Sequence, residues 1–220
     1  MDKEYWHQLA DLDPANVCRR SGAVLDGDGY RLRVLGSEYL IVPGEQRITR
    51  PGTGGNCQSA PAVSGNLELV IVHYLIAAKG LPVTGEWVGL QDLGSGSRFF
   101  TSPAHVPDFG DLLPLCATSA GAVVRAARSL GGRRLEGGDL AVEIRVLPRL
   151  PLALVCWNAS DEFPARASVL CDRGAREQLP LDVLLAAIQE AIRQLGIAAR
   201  GAQMTGNNHS REEVPTWKNA

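Results

Sequence analysis

Residues 140–172 read LAVEIRVLPRLPLALVCWNASDEFPARASVLCD, and this stretch decides the fold. It contains three apolar runs with strand-like composition, at 140–147, 152–157 and 167–171. Residues 148–151 and 159–164 separate these runs. Connections this short favour antiparallel neighbours, because a parallel crossover needs about a dozen residues or more. The stretch therefore predicts an antiparallel sheet.

A further pair of strand signals, nearer the N-terminus, predicts a β-hairpin. Tyr30–Val34 alternates between polar and apolar residues, Gly36-Ser37 is typical of a turn, and the apolar run Tyr39–Val42 follows. A short strand or a structured loop is expected at 85–89, and another short strand at 97–101. These elements add to the sheet content of the fold.

Residues 43–64 lack a periodic apolar pattern. They are rich in Gly, Pro, Ser and Thr, which predicts a long loop of a kind that often carries function. Within this segment, Gly52-Thr53-Gly54-Gly55 has a superficial likeness to a phosphate-binding loop. It lacks the lysine and the following helix that such loops require, so we do not expect nucleotide binding from it.

Three segments predict the main helices. Residues 66–79 are apolar on nearly every side of a helix, which is typical of a buried helix. Amphipathic helices are expected at 111–130 and from Pro180 to Leu195. The combined pattern predicts an α+β fold, in which a mainly antiparallel sheet packs against a buried central helix and two further helices.

The length and composition are those of an ordinary soluble globular protein. The chain has 220 residues, of which 45% are apolar and 21% are charged, which is enough apolar material for one sizeable core. We expect a single α+β domain over residues 1–196. Residues 197–220 are polar, and we expect them to form a flexible C-terminal tail.

Charge, hydropathy and cysteine use narrow the function classes. A net charge of -2 provides no basic stripe for nucleic acid, and no apolar run approaches the roughly 20 residues of a membrane span. The charged segment Met1–His7 lacks the features of a signal peptide. The five cysteines are widely spaced and contain no C-x-x-C pair, which disfavours a disulfide framework or a clustered metal site. We therefore expect a cytoplasmic protein that binds neither nucleic acid nor membranes.

Two places in the sequence carry titratable groups suited to catalysis. Asp161 and Glu162 lie between two predicted strands. They are candidates for an acid–base pair or for ligands of a hard metal ion, and the alternative is that they are solvated turn residues. His73 lies within the apolar helix 66–79. It is a candidate haem or corrinoid ligand or general base, and the alternative is a hydrogen-bonded core histidine.

Four further residues are candidates for lining a ligand site. Trp87 would form the apolar wall of a ligand site, with Glu86 as an acidic group that binds the ligand (an acidic handle), or Trp87 simply packs in the core. Arg149, held between two prolines, would bind an anionic group or form an ion pair with Asp161 or Glu162. Trp157, just before the acidic pair, completes the set.

Three stretches of the chain together resemble a known family. They are the segment from His73 to Val88, the segment 147–151, and the segment from Trp157 to Asp172. This combination is similar to the bacterial and archaeal domain of unknown function numbered 3786, over about Tyr5 to Leu195. The resemblance implies an anaerobic setting, in which some members carry an added iron–sulfur-type cysteine domain.

The chain departs from this family pattern in three respects. It has no cysteine cluster, so cluster binding is not carried over. Cys171 stands where we expect a phenylalanine, and residues 99–108 are richer in proline than the basic and aromatic stretch of the family. A site built on that stretch is therefore not expected in this chain.

Three hypotheses on function remain open from the sequence. The first is a binding module for a small cofactor or for a redox-protein partner, with His73, Glu86, Trp87, Arg149 and Trp157 as lining residues. The anaerobic setting that the resemblance implies suggests a tetrapyrrole or metal-containing cofactor. The second is a hydrolase or transferase that uses Asp161 or Glu162 with His73. The third is a structural interaction domain without a small-molecule site.

Overall fold

The computed structural model describes residues 2–51, 63–93 and 98–209, with side chains up to 204. Within these ranges the chain forms six α-helices and two antiparallel sheets, which confirms the predicted α+β class. The strands divide between two sheets where the sequence suggested one. The phosphate-loop-like residues 52–55 lie outside the described residues, as does the segment 210–220.

The first sheet contains four strands in sequential order, and the predicted hairpin forms its centre. The strands are β1 (Val24–Asp26), β2 (Gly29–Val34), β3 (Ser37–Val42) and β4 (Arg47–Thr49). Strand β2 buries Tyr30, Leu32 and Val34 and leaves the intervening arginines exposed, as its alternation predicts. The hairpin is confirmed.

The predicted loop 43–64 contains regular structure at its start. A 3₁₀ turn covers Pro43–Glu45, and β4 then pairs with β3. The prediction was wrong for this part because an edge strand of three residues is held by backbone hydrogen bonds and needs only one apolar side chain, Ile48. Residues 52–62 lie outside the described ranges.

The second sheet contains five strands in the order β5-β9-β8-β7-β6, all antiparallel. Their bounds are β5 (Trp87–Gly89), β6 (Arg133–Leu135), β7 (Leu140–Leu147), β8 (Leu150–Trp157) and β9 (Arg166–Asp172). The three long strands and β5 confirm the sequence prediction. Short connections produce the antiparallel pairing, since Pro148 and Arg149 alone join β7 to β8.

The strand predicted at 97–101 is wrong for its described residues. Residues 98–100 form a turn, in which the Thr101 hydroxyl donates a hydrogen bond of 2.9 Å to the Arg98 carbonyl oxygen. This local bond favours a turn over an extended strand. Ser97 lies outside the described residues.

The helices are α1 (Lys3–Asp11), α2 (Pro14–Ser21), α3 (Gly65–Ala77), α4 (Leu112–Thr118), α5 (Ala120–Ser129) and α6 (Leu181–His209). Helix α3 is the predicted buried helix, and the Ser64 hydroxyl caps it by accepting a hydrogen bond from Leu67 N–H. The single helix predicted at 111–130 is divided at Ser119. The Thr118 hydroxyl donates a hydrogen bond to the Pro114 carbonyl oxygen. The Ser119 backbone is not helical, since its φ is -146°.

Helix α6 continues past Gly196, where the sequence predicted the start of a flexible tail. Residues 197–209 are helical because tertiary contacts outweigh the weak helix propensity of glycine. Leu195 and Ala199 continue the buried stripe across Gly196. Arg200 then forms an ion pair of 2.9 Å with Asp111.

One hydrophobic core joins the two sheets and all six helices of the described chain. Helix α3 packs against α1, α2 and α6, while α6 also packs against α4, α5 and β7. A direct backbone bond links the sheets, because Leu35 N–H donates to the Val146 carbonyl oxygen over 3.0 Å. This link fixes the position of the β2–β3 turn over strand β7.

Candidate functional site

Asp172, the last residue of β9, binds the segment that leads into the neighbouring strand β5. We call this contact the Asp172 junction. The Asp172 side chain is 2% exposed, and Oδ2 accepts hydrogen bonds from the Thr84 hydroxyl at 2.9 Å and Gly85 N–H at 2.8 Å. Oδ1 accepts from Gly174 N–H at 2.9 Å. Burial alone raises the pKa of this carboxyl, but these hydrogen bonds outweigh burial and hold the pKa below its usual value. Asp172 is therefore a buried, fully bonded carboxylate.

Glu86 and Arg173 form an ion pair on the surface of this junction. The guanidinium donates through Nε to Oε2 at 2.6 Å and through Nη2 to Oε1 at 2.5 Å, and this bidentate bond lowers the pKa of Glu86. Both side chains are more than half exposed. Trp87 follows at the start of β5 and is half-buried. The predicted acidic handle, Glu86, is thus already occupied by an arginine.

Arg149 binds backbone carbonyl groups instead of the carboxylates of Asp161 or Glu162. Its Nε donates to Arg20 O at 2.9 Å and its Nη1 donates to Leu81 O at 3.4 Å. The first bond caps the C-terminal end of α2. The predicted ion pair with the acidic turn is therefore corrected, since Arg149 lies at the opposite end of β8 from that turn.

Gln178 meets Arg149 at the same carbonyl. Its Nε2 donates to Leu81 O at 3.3 Å, and its side chain is 2% exposed. Its Oε1 is buried and has no hydrogen-bond partner among the described residues. Such an atom carries a desolvation cost that the fold does not offset at this position.

His73 packs at the interface between α3 and α1. Its ring centroid lies 4.2 Å from that of Tyr5, and the residue is half-buried. Burial lowers the pKa of the imidazole, and the negative charge of Asp182 on α6 opposes this effect only in part. His73 therefore packs against Tyr5 in surroundings that disfavour the protonated imidazole.

Trp157, Asp161 and Glu162 lie at the far end of β8. The Arg166 guanidinium covers the Trp157 ring at 4.7 Å, a cation–π contact across β8 and β9. Asp161 and Glu162 are exposed in the following turn. Strand β8 spans eight residues, roughly 26 Å, from the Arg149 end to the Trp157 end. The structure therefore does not bring the seven sequence candidates, His73 among them, together into one site.

A groove lies where the first sheet meets the second, with a cavity volume of about 510 Å³. This volume falls within the range of about 300–1,000 Å³ that is typical of small-molecule sites. We call it the arginine groove, and it is lined by Gly22, Arg33, Gly36, Gly131, Arg145 and Pro148. These residues come from α2, the β2–β3 hairpin, the α5–β6 connection and the β7–β8 hairpin, so tertiary packing fixes its shape.

Gly36 allows the walls of the arginine groove to approach each other. Its backbone has φ +75°, and a Cβ atom there would lie 2.4 Å from the Ser129 carbonyl oxygen. Only glycine combines this left-handed conformation with such a close approach. The hairpin turn is thereby held against the C-terminal end of α5.

Two guanidinium groups give the arginine groove its charge. Arg33 is exposed and makes no hydrogen bond or ion pair with any residue that the structure describes, although Glu38 lies opposite it in the strand register. Arg145 donates one bond of 3.3 Å to Glu143, and the Glu143 carboxylate is also bound by Arg133 at 2.8 Å. Arg33, and the donors of Arg145 that Glu143 does not occupy, remain available to an anion.

Two other cavities are built differently. One, of about 230 Å³, lies between residues 108–112 and α6, and it is lined by both acidic and basic side chains. The other, of about 540 Å³, is formed within the single β6–β7 hairpin, residues 134–141. None of the three cavities is lined by His73, Glu86, Trp87, Arg149 or Trp157.

The family model for the domain of unknown function DUF3786 matches residues 13–194. The chain belongs to the DUF3786 family. The match confirms the resemblance inferred from the sequence, and it includes both the Asp172 junction and every residue of the arginine groove. No curated protein and no solved structure matches the chain.

The DUF3786 region contains residues that the sequence interpretation did not select. Arg33 and Arg145 occupy exposed positions between buried apolar neighbours in their strands, and this pattern is the signal that could have marked them. Asp172 was noted only as the residue that ends a family segment. Among the described residues, no group of three His, Cys, Asp or Glu side chains is placed to hold a metal ion. No helix in the described ranges has the length and hydropathy to span a membrane.

Proposed function

We propose that this DUF3786 chain is a binding module that holds a small anionic molecule in the arginine groove. The observation that carries the proposal is the pair of guanidinium groups, Arg33 and Arg145, lining one cavity of about 510 Å³. Guanidinium groups bind carboxylates and phosphates through two parallel hydrogen bonds and are only weakly hydrated. The chemical class of the ligand is therefore a small carboxylate or phosphate compound.

The lining of the arginine groove suits an anionic ligand better than a tetrapyrrole or metal-containing cofactor. The described lining of the arginine groove consists of glycine, arginine and proline, which do not coordinate metal ions through their side chains. A tetrapyrrole or metal-containing cofactor would gain no axial ligand there. An anionic group, in contrast, would bind the positive charges of Arg33 on β2 and Arg145 on β7. The glycines of the lining leave the backbone accessible to it.

The two other hypotheses are supported less well by the geometry. The hydrolase or transferase hypothesis needs Asp161 or Glu162 beside His73. Asp161 and Glu162 are exposed in the turn after β8, whereas the His73 ring packs against Tyr5 between α3 and α1. The interaction-domain hypothesis needs a contiguous apolar surface. In the described ranges, the large exposed apolar side chains are divided among α1, β1, the segment after α3, the segment before α4, the turn after β8 and α6.

Calorimetric titration of the full chain with inorganic pyrophosphate and with citrate tests the proposal. We expect binding that weakens as salt rises, because both probes are held by charge. Arg33→Ala should weaken the binding of the better probe at least about tenfold, since a bidentate charged contact contributes about 1.5–3 kcal/mol.

Arg31→Ala is the matched control, because Arg31 lies on the same strand and its guanidinium pairs with Asp26 outside the groove lining. This variant should bind the probe within about twofold of the wild type. The proposal is overturned if neither probe binds the wild type, or if Arg33→Ala and Arg31→Ala bind equally well.

A further inference from the structure

Cys116 and Cys156 form a buried pair of thiols at the contact between α4 and β8. Their Sγ atoms are 2.7 Å apart, and each residue is 3% exposed. The residues are 40 positions apart in sequence, so the pair is created by the fold. The separation is close to the bonding distance of about 2.05 Å in a disulfide. Only a small movement is needed to join the two sulfur atoms.

We propose that Cys116 and Cys156 form a reversible disulfide that responds to peroxide and ties helix α4 to strand β8. A metal site is the competing use of paired cysteines, and it needs further ligands. Among the described residues no third His, Cys, Asp or Glu joins the pair. The described surroundings therefore favour covalent sulfur chemistry over coordination.

The two thiols differ in the roles that they take. One hydrogen bond joins the two sulfur atoms, and either sulfur can be its donor. With Cys156 as the donor, the bond lowers the pKa of Cys116, although burial opposes this effect. The same bond and burial raise the pKa of Cys156. In this arrangement Cys116 is the nucleophile of the pair and Cys156 the resolving thiol.

Hydrogen peroxide is the oxidant that this chemistry requires. The Cys116 thiolate attacks one peroxide oxygen, the O–O bond breaks, and the released hydroxide takes a proton to become water. The Cys156 sulfur then attacks the resulting sulfenic sulfur, the S–S bond forms, and a second hydroxide leaves and takes the Cys156 proton. Two thiols and one peroxide therefore give one disulfide and two waters.

The disulfide changes how α4 is attached to the fold. Helix α4 has only seven residues and follows the segment 98–111, which consists of turns, loop and a 3₁₀ helix at Pro103–His105. In the reduced protein it is held by packing, including the buried side chains of Leu112 and Cys116. A covalent link to β8 closes a loop of about 40 residues and stabilises the oxidised fold.

Peptide mapping of the full chain tests the proposal directly. The reduced protein is treated with hydrogen peroxide, alkylated with N-ethylmaleimide, digested with trypsin and analysed by mass spectrometry. We expect peptide 99–125 linked to peptide 150–166, with two hydrogens fewer than the separate peptides, and loss of the link in dithiothreitol. The midpoint of thermal unfolding should rise by about 10 °C on oxidation.

Cys18→Ser and Cys57→Ser are the controls, and both variants should keep the 99–125 to 150–166 link. Cys171 is an internal control, because burial raises the pKa of its thiol to about 12 and should leave it reduced. The proposal is overturned if both thiols of the wild type stay reduced under peroxide, or if Cys116 or Cys156 links to another cysteine instead. Because the linked peptide is read in the wild type, the test does not depend on whether Cys116→Ser folds.

Discussion

The Asp172 carboxylate accepts a hydrogen bond of 2.8 Å from the Gly85 backbone N–H, across 87 positions of sequence. The bond connects the end of β9 to the segment that leads into β5, which form the edge of the second sheet. Asp172 also holds Gly174 N–H at the start of a 3₁₀ turn over Arg173–Glu177. One buried carboxylate thus fixes the edge strand and the chain that leads toward α6.

Asp172→Asn should lower the free energy of unfolding by about 3 kcal/mol. The amide nitrogen of asparagine would face an N–H or O–H donor, and the charge that strengthens all three bonds would be lost. Urea denaturation at pH 7 measures the change. A loss below about 1 kcal/mol would contradict the assigned role of this carboxylate.

Acid should destabilise the wild type more than Asp172→Asn. The folded pKa of Asp172 lies below its unfolded value, so its contribution is complete above the unfolded pKa of about 3.9 and is lost as pH falls through the folded pKa. Denaturation at a series of pH values from 5 down to 2 should show the two proteins converging. Parallel curves would show that Asp172 does not contribute this pH dependence.

Gly36→Ala should destabilise the fold by about 3 kcal/mol or more, because it combines a strained φ with a clash against the Ser129 carbonyl oxygen. Gly27→Ala is the matched control, since Gly27 has φ +57° with no atom within 4 Å of the added Cβ. Its cost should be about 1 kcal/mol, from strain alone. Equal losses in the two variants would argue against close packing at the arginine groove.

Gln178→Met should change the free energy of unfolding by less than about 1 kcal/mol. The variant loses one bond to the Leu81 carbonyl, which keeps Arg149 as a donor, and it also removes the unpartnered Oε1. Denaturation beside the wild type measures the difference. A loss above about 2 kcal/mol would show that Oε1 accepts a hydrogen bond that stabilises the native state.

His73 should titrate below the usual histidine pKa of about 6.5 in the folded protein. Because the unfolded chain takes up this proton at a higher pH, stability should fall as pH drops from about 7 toward the folded pKa. His73→Gln should show a smaller fall over this interval. Proton NMR of the imidazole provides the direct measurement, and a pKa above about 6.5 would contradict the burial argument.

The second sheet was predictable because its strands are long and their connections are short. Pro148 and Arg149 form a two-residue connection between β7 and β8, which is too short for a parallel crossover, so these strands pair antiparallel. The boundaries of helices were harder to predict, since local propensity competes with packing. Gly196 looked like the end of α6, but Leu195 and Ala199 are buried on both sides of it, and their contacts carry the helix onward.

The candidate site was only partly predictable for a different reason. Glu86, Trp87 and Arg149 are conspicuous in the sequence, yet the fold already uses each of them. Glu86 pairs with Arg173, Trp87 is half-buried in β5, and Arg149 donates to the Arg20 carbonyl oxygen. The arginine groove joins four separated segments, and no local pattern reports that Arg33 and Arg145 share a cavity. The Cys116–Cys156 pair depends in the same way on α4 lying over β8.

The order in which the core is assembled has a consequence for biosynthesis. Helix α6 supplies Leu184, Ile188 and Leu195 to the core, all with 0% exposure, and it packs against α3, α4, α5 and β7. A nascent chain emerging from the ribosome presents α3, α4, α5 and β7 before α6 arrives to cover them. Their apolar surfaces therefore stay open to chaperones or to aggregation until α6 has been translated.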